Sequence, residues 1–321
     1  MKIRSLTLHV THDYNVDLVE KFLQVAEMAG PLTIRVSISP PPKSAAAQTI
    51  EKLKNLGVKY ISALHLQYNS EEMYRYIAEY QVFGTFNDAL EYVKFLKLLH
   101  QRGEAHLSRY VSLVVGRAVY NSPYFPASIS TKTGVSIALL YPNDVNQIED
   151  IEHFLKIGEE IGRRVANSIG VEFIGVDGSL SPWGEDSVAK TIERLYGIKL
   201  GQWGSRHAIA EINNAIWNSS VLKTGFNEVM LPLAEDEELK RLVKSGLLDL
   251  EKLVGYVAVC VPGLDMVPLK INNWKSLKLL LYDLAALAES KQKAVGVRIF
   301  PVDVDEYYVE GFGKTPALEL K

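Results

Sequence analysis

The feature that most constrains this chain is a recurrence. Short runs rich in β-branched residues return along its 321 residues, and most are separated by stretches of helical length. The runs are Ile3–Val10, Leu32–Ile38, Val58–Leu66, Tyr110–Val115, Val135–Leu140, Val171–Val176, Glu228–Leu233, Tyr256–Val261 and Val295–Val302, with Gln81–Phe86 as a tenth. Between them apolar residues fall at three and four spacing, as in Leu18, Phe22, Val25, Ala26 and Ala29, or Ile157, Ile161, Val165 and Ala166. Strand and helix alternating at this period predict an α/β architecture. Runs such as Leu32–Ile38, Tyr110–Val115 and Val257–Val261 are too continuously apolar to keep a wet face, so they belong in a sheet or barrel covered on both sides.

Local punctuation supports the segmentation. Ser44-Ala45 and Ser70-Glu71-Glu72-Met73 read as helix starts, Gly30, Gly57, Gly103 and Gly170 as stops, and residues 148–168 as one long helix. A rigid run, Pro40-Pro41-Pro42, follows the second strand and positions a loop at its end. No Gly/Ser-rich or charged linker divides the chain, so residues 1–321 are expected to form a single α/β domain.

Composition excludes several classes of function. Net charge is −3, and no basic run marks a nucleic acid or anionic membrane as partner. The longest apolar stretch, near Leu277–Ala288, is interrupted by Lys278, Tyr282 and Asp283, which argues against a membrane span. One cysteine allows no internal disulfide, and the first ten residues read as a strand rather than a signal peptide, so a cytoplasmic protein is expected. The Gly-rich dinucleotide and P-loop patterns, the G-x-S-x-G elbow, H-E-x-x-H and C-x-x-C are all missing from the sequence.

What remains is a set of polar residues at the carboxyl ends of expected strands, where parallel α/β sheets and barrels keep their sites. His9, His12 and Asp13 follow the first strand, Ser37 and Ser39 the second, and His65 the third. Asp177 and Ser179 follow the sixth, and Arg298 lies in the last. Asp265 is one carboxylate in an apolar stretch, Cys260 to Leu269, after an expected Gly255–Val261 strand and a Pro262-Gly263 turn. A lone buried acid must either tie down backbone or hold a site. Asp177 reads equally as an Asx turn and as a general base or cation ligand facing Asp265. Arg298, between Val297 and Ile299, needs an anion, either a structural carboxylate such as Asp265 or Asp177, or a substrate. Cys260, among valines, reads as a small hydrophobe rather than a nucleophile. The segment Asn121 to Ala127, with Tyr124 inside it, reads as an ordered loop that lines a cleft.

Several blocks in order carry a resemblance. They are Ser122–Ala127, Val135–Leu139, Val171–Pro182, Lys223–Pro232, the Cys260–Pro268 stretch and Val297–Val302. On these the chain resembles the domain-of-unknown-function 711 proteins of bacteria and archaea over nearly its whole length. The resemblance implies a pyruvate formate-lyase-like barrel: ten strands in two parallel five-strand halves, surrounded by helices. The radical loop of glycyl radical enzymes has no counterpart in the tail Glu310-Gly311-Phe312-Gly313-Lys314, so glycyl radical chemistry is not expected. Lys270-Ile271-Asn272-Asn273 replaces the Pro-Gly-Asp-Thr of many members, and no ligand role carries over there.

The expected function is that of a soluble enzyme acting on a small polar or anionic metabolite by acid/base or metal-assisted chemistry. Asp177, Asp265 and Arg298 would be its catalytic groups, with Tyr124, Ser179 and His9 binding substrate and a divalent cation as one form of cofactor. Two other readings stand beside it: a non-catalytic metabolite-binding or regulatory protein, and a homo-oligomeric scaffold built on the chain's four Trp and 16 Tyr.

Overall fold

The computed structural model describes residues 1–260 and 264–321. Ten strands form one sheet: β1 (Lys2–Val10), β2 (Thr33–Ile38), β3 (Tyr60–His65), β4 (Phe83–Phe86), β5 (Val111–Gly116), β6 (Gly134–Leu140), β7 (Glu172–Asp177), β8 (Leu264–Ile271), β9 (Ala294–Val302) and, after a separate hairpin of β10 (Glu306–Val309) and β11 (Gly313–Pro316), β12 (Leu318–Leu320). The spatial order is β12-β8-β9-β5-β4-β3-β2-β1-β6-β7. Strands β1 to β5 run parallel to one another, and the remaining five run against them, because β1/β6 and β5/β9 are the antiparallel seams. Among the described residues no ladder joins β7 to β12.

The sheet is nevertheless strongly curled. Five strand steps separate β1 from β9, roughly 24 Å across a flat sheet, yet Arg4 on β1 and Arg298 on β9 both bond the carboxylate of Glu235. Among the described residues ten helices pack around it: α1 (Val16–Ala29), α2 (Ala46–Asn55), α3 (Ser70–Tyr80), α4 (Ala89–Arg102), α5 (Asp150–Ile169), α6 (Val188–Tyr196), α7 (Ser205–Asn218), α8 (Glu237–Lys244), α9 (Leu250–Tyr256) and α10 (Trp274–Ser290). Their ends follow ordinary capping chemistry. Asn69 and Glu72 close a capping box on α3, and Gly30, Gly103 and Gly170 stop α1, α4 and α5 in the left-handed conformation.

The two faces of the sheet differ in chemistry. Leu6, Leu8 and Val10 of β1, with Val36 and Ile38 of β2, join the apolar core. The alternate residues are polar and bond chain that passes through the inside of the curl. Ser5 and Arg35 donate to the carbonyl of Pro123 at 3.1 and 3.0 Å, Thr85 to that of Pro126 at 2.8 Å, and Ser62 to that of Ser128 at 3.2 Å. Backbone carbonyls buried away from any ladder need such partners. The connection between β5 and β6 thus fills the interior, and the strands carry Ser, Thr and Arg to hold it.

Two expected strands are corrected. Glu228–Leu233 is not a strand: the Val229 amide donates to Asn213 at 2.7 Å and the Met230 amide to the Leu180 carbonyl at 2.9 Å, which leaves no ladder. Of the Tyr256–Val261 run, Tyr256 ends α9 and Val257 caps it; Val261, Pro262 and Gly263 lie outside the described residues. Leu253, Tyr256, Val257 and Cys260 are all buried, at the three, four and seven spacing of a helix face.

Candidate functional site

Buried charge gathers at one end of the curled sheet. Arg4 reaches it through a bulge: the register of β1 against β6 slips between Ile3 and Ser5, so Arg4 and Ser5 both bond interior chain. A second bulge, at Asp265–Met266 in β8, shifts the register against β9 and puts Met266 at a φ of 53°. It aims Asp265 at its strand neighbour Arg298.

Asp265 grips Arg298 with both oxygens, the Nε contact and an Nη2–Oδ2 contact of 2.7 Å. Arg298 also reaches Glu235 at 3.2 Å, and Glu235 holds Arg4 at 2.6 Å. Arg4 donates its other amino group to the Pro182 carbonyl at 2.5 Å and lies over the rings of Trp183 and Tyr124 at 4.9 and 5.4 Å. Burial pushes the Asp265 carboxyl up, and the Arg298 guanidinium opposes it. Burial also works against the Arg298 charge, but Asp265 and Glu235 outweigh it and raise that group. Since a guanidinium keeps its proton, the pair stands ionised.

Arg35 completes the cluster without a carboxylate of its own. Its Nε bonds Thr33 at 2.9 Å and its Nη1 the Pro123 carbonyl; no ion pair forms among the described residues. Burial, with the like charge of Arg4, pulls the group down to about 10, so it remains a cation at neutral pH. Phe125 and Tyr60 lie under it at 5.2 and 5.9 Å. Arg109 also lines the cavity but is taken up by the exposed Glu310 at 2.5 Å, so of four guanidiniums three, Arg4, Arg35 and Arg298, face two carboxylates, Asp265 and Glu235.

They surround a partly open cavity of about 90 Å³. Thr33, Tyr60 and Phe83, the first residues of β2, β3 and β4, line it together with Trp183, Pro232 and Phe312. The Tyr124 hydroxyl lines it buried, with no hydrogen bond of ordinary geometry, Ser181 alongside. The Arg4 Nε is also buried without a partner.

The sequence-derived candidates divide. Asp265, Arg298 and Tyr124 come together on this cavity. Asp177 and Ser179 do not line it. Asp177 accepts from Ser179 Oγ at 2.6 Å, from Ser122 Oγ at 3.2 Å, and from the amides of Phe226, Asn227 and Ser179 at 2.8, 3.1 and 3.1 Å. Burial raises its carboxyl while those bonds lower it. Gly225 explains itself here: at a φ of 78°, a Cβ would stand 2.1 Å from Asp177 Oδ2. His9 lies five residues along β1 from Arg4, roughly 16 Å away, held by Ser130 at 2.8 Å and Ser136 at 2.7 Å, with burial lowering it to about 3. His65, at the same carboxyl end of β1 to β3, bonds Ser62 and Thr85. The gathering expected at those carboxyl ends is thus corrected: for β2 to β4 the cavity lies at the amino ends, and the other end is filled by the inserted chain. Among the described residues no group of three His, Cys, Asp or Glu side chains is arranged to hold a metal ion. Burial pushes the Cys260 thiol up to about 12.

Arg4, Arg35 and Glu235 were not singled out in the sequence. Arg35 carries the same signal as Arg298, a guanidinium between two β-branched residues of an apolar strand. Glu235, in Leu233-Ala234-Glu235-Asp236-Glu237-Glu238, looks like the solvated start of a helix, and only the fold reveals it as buried.

The family described as Uncharacterised ACR (DUF711) matches residues 144–307. That span contains Glu235, Asp265 and Arg298; Arg4, Arg35 and Tyr124 precede it. Similar curated proteins include a UPF0210 protein of Methanocaldococcus jannaschii, 34% identical over 177 residues, and one of Campylobacter concisus, 31% identical over 175, each alignment covering 51% of this chain and 39% of the relative. A UPF0210 protein of Sulfurisphaera tokodaii is 34% identical over 155 residues, 46% of this chain and 35% of the relative. The matches thus span well under two thirds of these relatives' own lengths.

Proposed function

The chain belongs to the uncharacterised DUF711 family, whose description names no activity, and from the cavity itself we propose that it binds one small organic anion inside a barrel of the pyruvate formate-lyase-like kind. Arg35 is the anchor, and the observation that carries the reading is its uncompensated charge. With Arg109 neutralised by Glu310, Arg4, Arg35 and Arg298 against Asp265 and Glu235 leave a surplus of one positive charge, which a monoanion would neutralise. Arg4 and Arg298 flank the ligand, and the aromatic walls exclude water and strengthen the attraction. Because the cavity draws on β1 and on β9, both halves of the chain build one site, which supports a single-domain reading of residues 1–321.

In this reading Asp265 orients Arg298, and Asp177 with Ser179 fixes the backbone that carries Phe226 and Asn227. Asp177 is surrounded by five donors and Asp265 is clamped by the fork of Arg298, so neither is a free base. Proton donation by Tyr124 to the bound anion is a second reading, and it has one observation in its favour: a buried hydroxyl with no hydrogen bond of ordinary geometry, Ser181 alongside.

Thermal unfolding with acetate, lactate and phosphate beside the neutral amides acetamide and lactamide tests both. Millimolar anions should raise the midpoint by several degrees, in line with mass action, while the amides should leave it unchanged. Equal shifts from acids and amides would refute the anion site. If Tyr124 donates to the bound anion, Tyr124→Phe will shrink the midpoint shift that lactate gives while leaving the midpoint of the ligand-free protein near that of the wild type.

A further inference from the structure

A second, smaller cavity adjoins the first. It measures about 30 Å³ and shares Tyr124, Phe125, Met230, Asp265 and Arg298 with the outer one, so the two adjoin along these residues. Its remaining lining is mostly apolar: Ala127, Phe226, Val297 and the backbone of Gly296. One polar atom breaks that surface. Ser112, 2% exposed on β5, has an Oγ with no hydrogen-bond partner. A buried hydroxyl left without a partner is destabilising, and with Tyr124, Asp265 and Arg298 at the chamber's other side it offers one polar anchor in an otherwise apolar pocket end.

We infer that the inner chamber selects the ligand: the site takes a short-chain hydroxy- or oxo-carboxylate of about three to five carbons, with room for one methyl- or ethyl-sized group beyond Tyr124 and Met230. This rests on the anion reading above. The carboxylate lies against Arg35 in the outer cavity. The carbon chain passes Tyr124 and Met230, and the far end, with its single oxygen, fills the inner chamber and bonds Ser112. Acetate occupies the outer cavity alone. A longer or doubly branched acid overfills about 30 Å³.

Calorimetric titration with acetate, butyrate and 3-hydroxybutyrate, on the wild type, Ala127→Val and Ser112→Ala, separates the layers. The wild type should prefer 3-hydroxybutyrate to butyrate and butyrate to acetate. Ala127→Val fills the inner chamber and should weaken both four-carbon acids by about fivefold or more, the cost of overpacking, while acetate stays within about twofold. Ser112→Ala, a smaller change that any foldable background should tolerate, should remove the preference for the hydroxy acid over butyrate. Binding of all three acids with equal affinity, or equal losses for acetate and butyrate in Ala127→Val, would overturn the chamber's role and leave the anion site standing. Failure of every acid to bind the wild type would bring down both.

Discussion

An arginine in the middle of a buried strand ordinarily brings a carboxylate to meet it, because an unpaired interior charge costs several kcal/mol. Arg298 has Asp265 and Arg4 has Glu235; Arg35 has a hydroxyl, a carbonyl and two aromatic faces. If the missing partner is a ligand, the empty protein bears the cost in stability. Arg35→Met keeps the stem that packs on Phe125 and removes the charge, so it should raise the unfolding midpoint of the ligand-free protein while abolishing the response to anions. A destabilised Arg35→Met would mean that the guanidinium is structural, holding the inserted chain through Pro123. Sequence reading reached part of this residue set. Arg298 and Asp265 were legible because a charge inside an apolar run demands a partner, and the same reasoning applied to Arg35 would have found it. Asp177 stood out for the same reason, yet its environment is a shell of donors supplied by residues about fifty positions away, which no local pattern displays.

Among the elements, eight of the ten expected strands are present, β1 to β7 and β9. Those eight have β-branched runs of ordinary length bounded by turn residues, so their local preference and tertiary fate agree. The count of ten is nevertheless reached differently from the way the sequence suggested. The segments 228–233 and 256–260 are replaced in the sheet by β8 and β12. β8 contains Pro268 and Lys270, which argue against a strand, and β12 is three residues long. The Tyr256–Val261 error came from reading an apolar run by composition where its burial follows the helical spacing. β2 keeps no wet face, as its apolar run predicts: its Thr33, Arg35 and Ser37, like Ser5 and Thr7 of β1, are buried, and Ser5 and Arg35 bond the inserted backbone. The helices were easier: α3, α4 and α5 end where their caps and glycines say they should.

At the scale of the molecule, the sealed interior has a consequence for acid stability. His9 and His65 are fully buried, and burial lowers each to about 3 from an ordinary 6.5. Both are neutral when folded, whereas the unfolded chain takes up protons below pH 6.5. Their stabilising effect is therefore complete above that value and is lost as pH falls from 6.5 towards 3. Two protons correspond to a slope of up to about 2.7 kcal/mol per pH unit. The buried carboxyls of Asp177, Asp236 and Glu228, each pushed up by burial, work the other way and offset part of it. Denaturant unfolding between pH 6.5 and 4.5 should show falling stability, with a shallower slope in His65→Gln; equal stability across that range would show that these histidines are accessible to protons. The interior surplus of positive charge is the central claim, and calorimetric titration of charge variants tests it most directly. The wild type, at plus one, should bind a single acetate per chain, Arg35→Met, at zero, should bind none, and Glu235→Gln, at plus two, should shift its preference from acetate towards the dianion malonate. Acetate binding to Arg35→Met with wild-type affinity would contradict it.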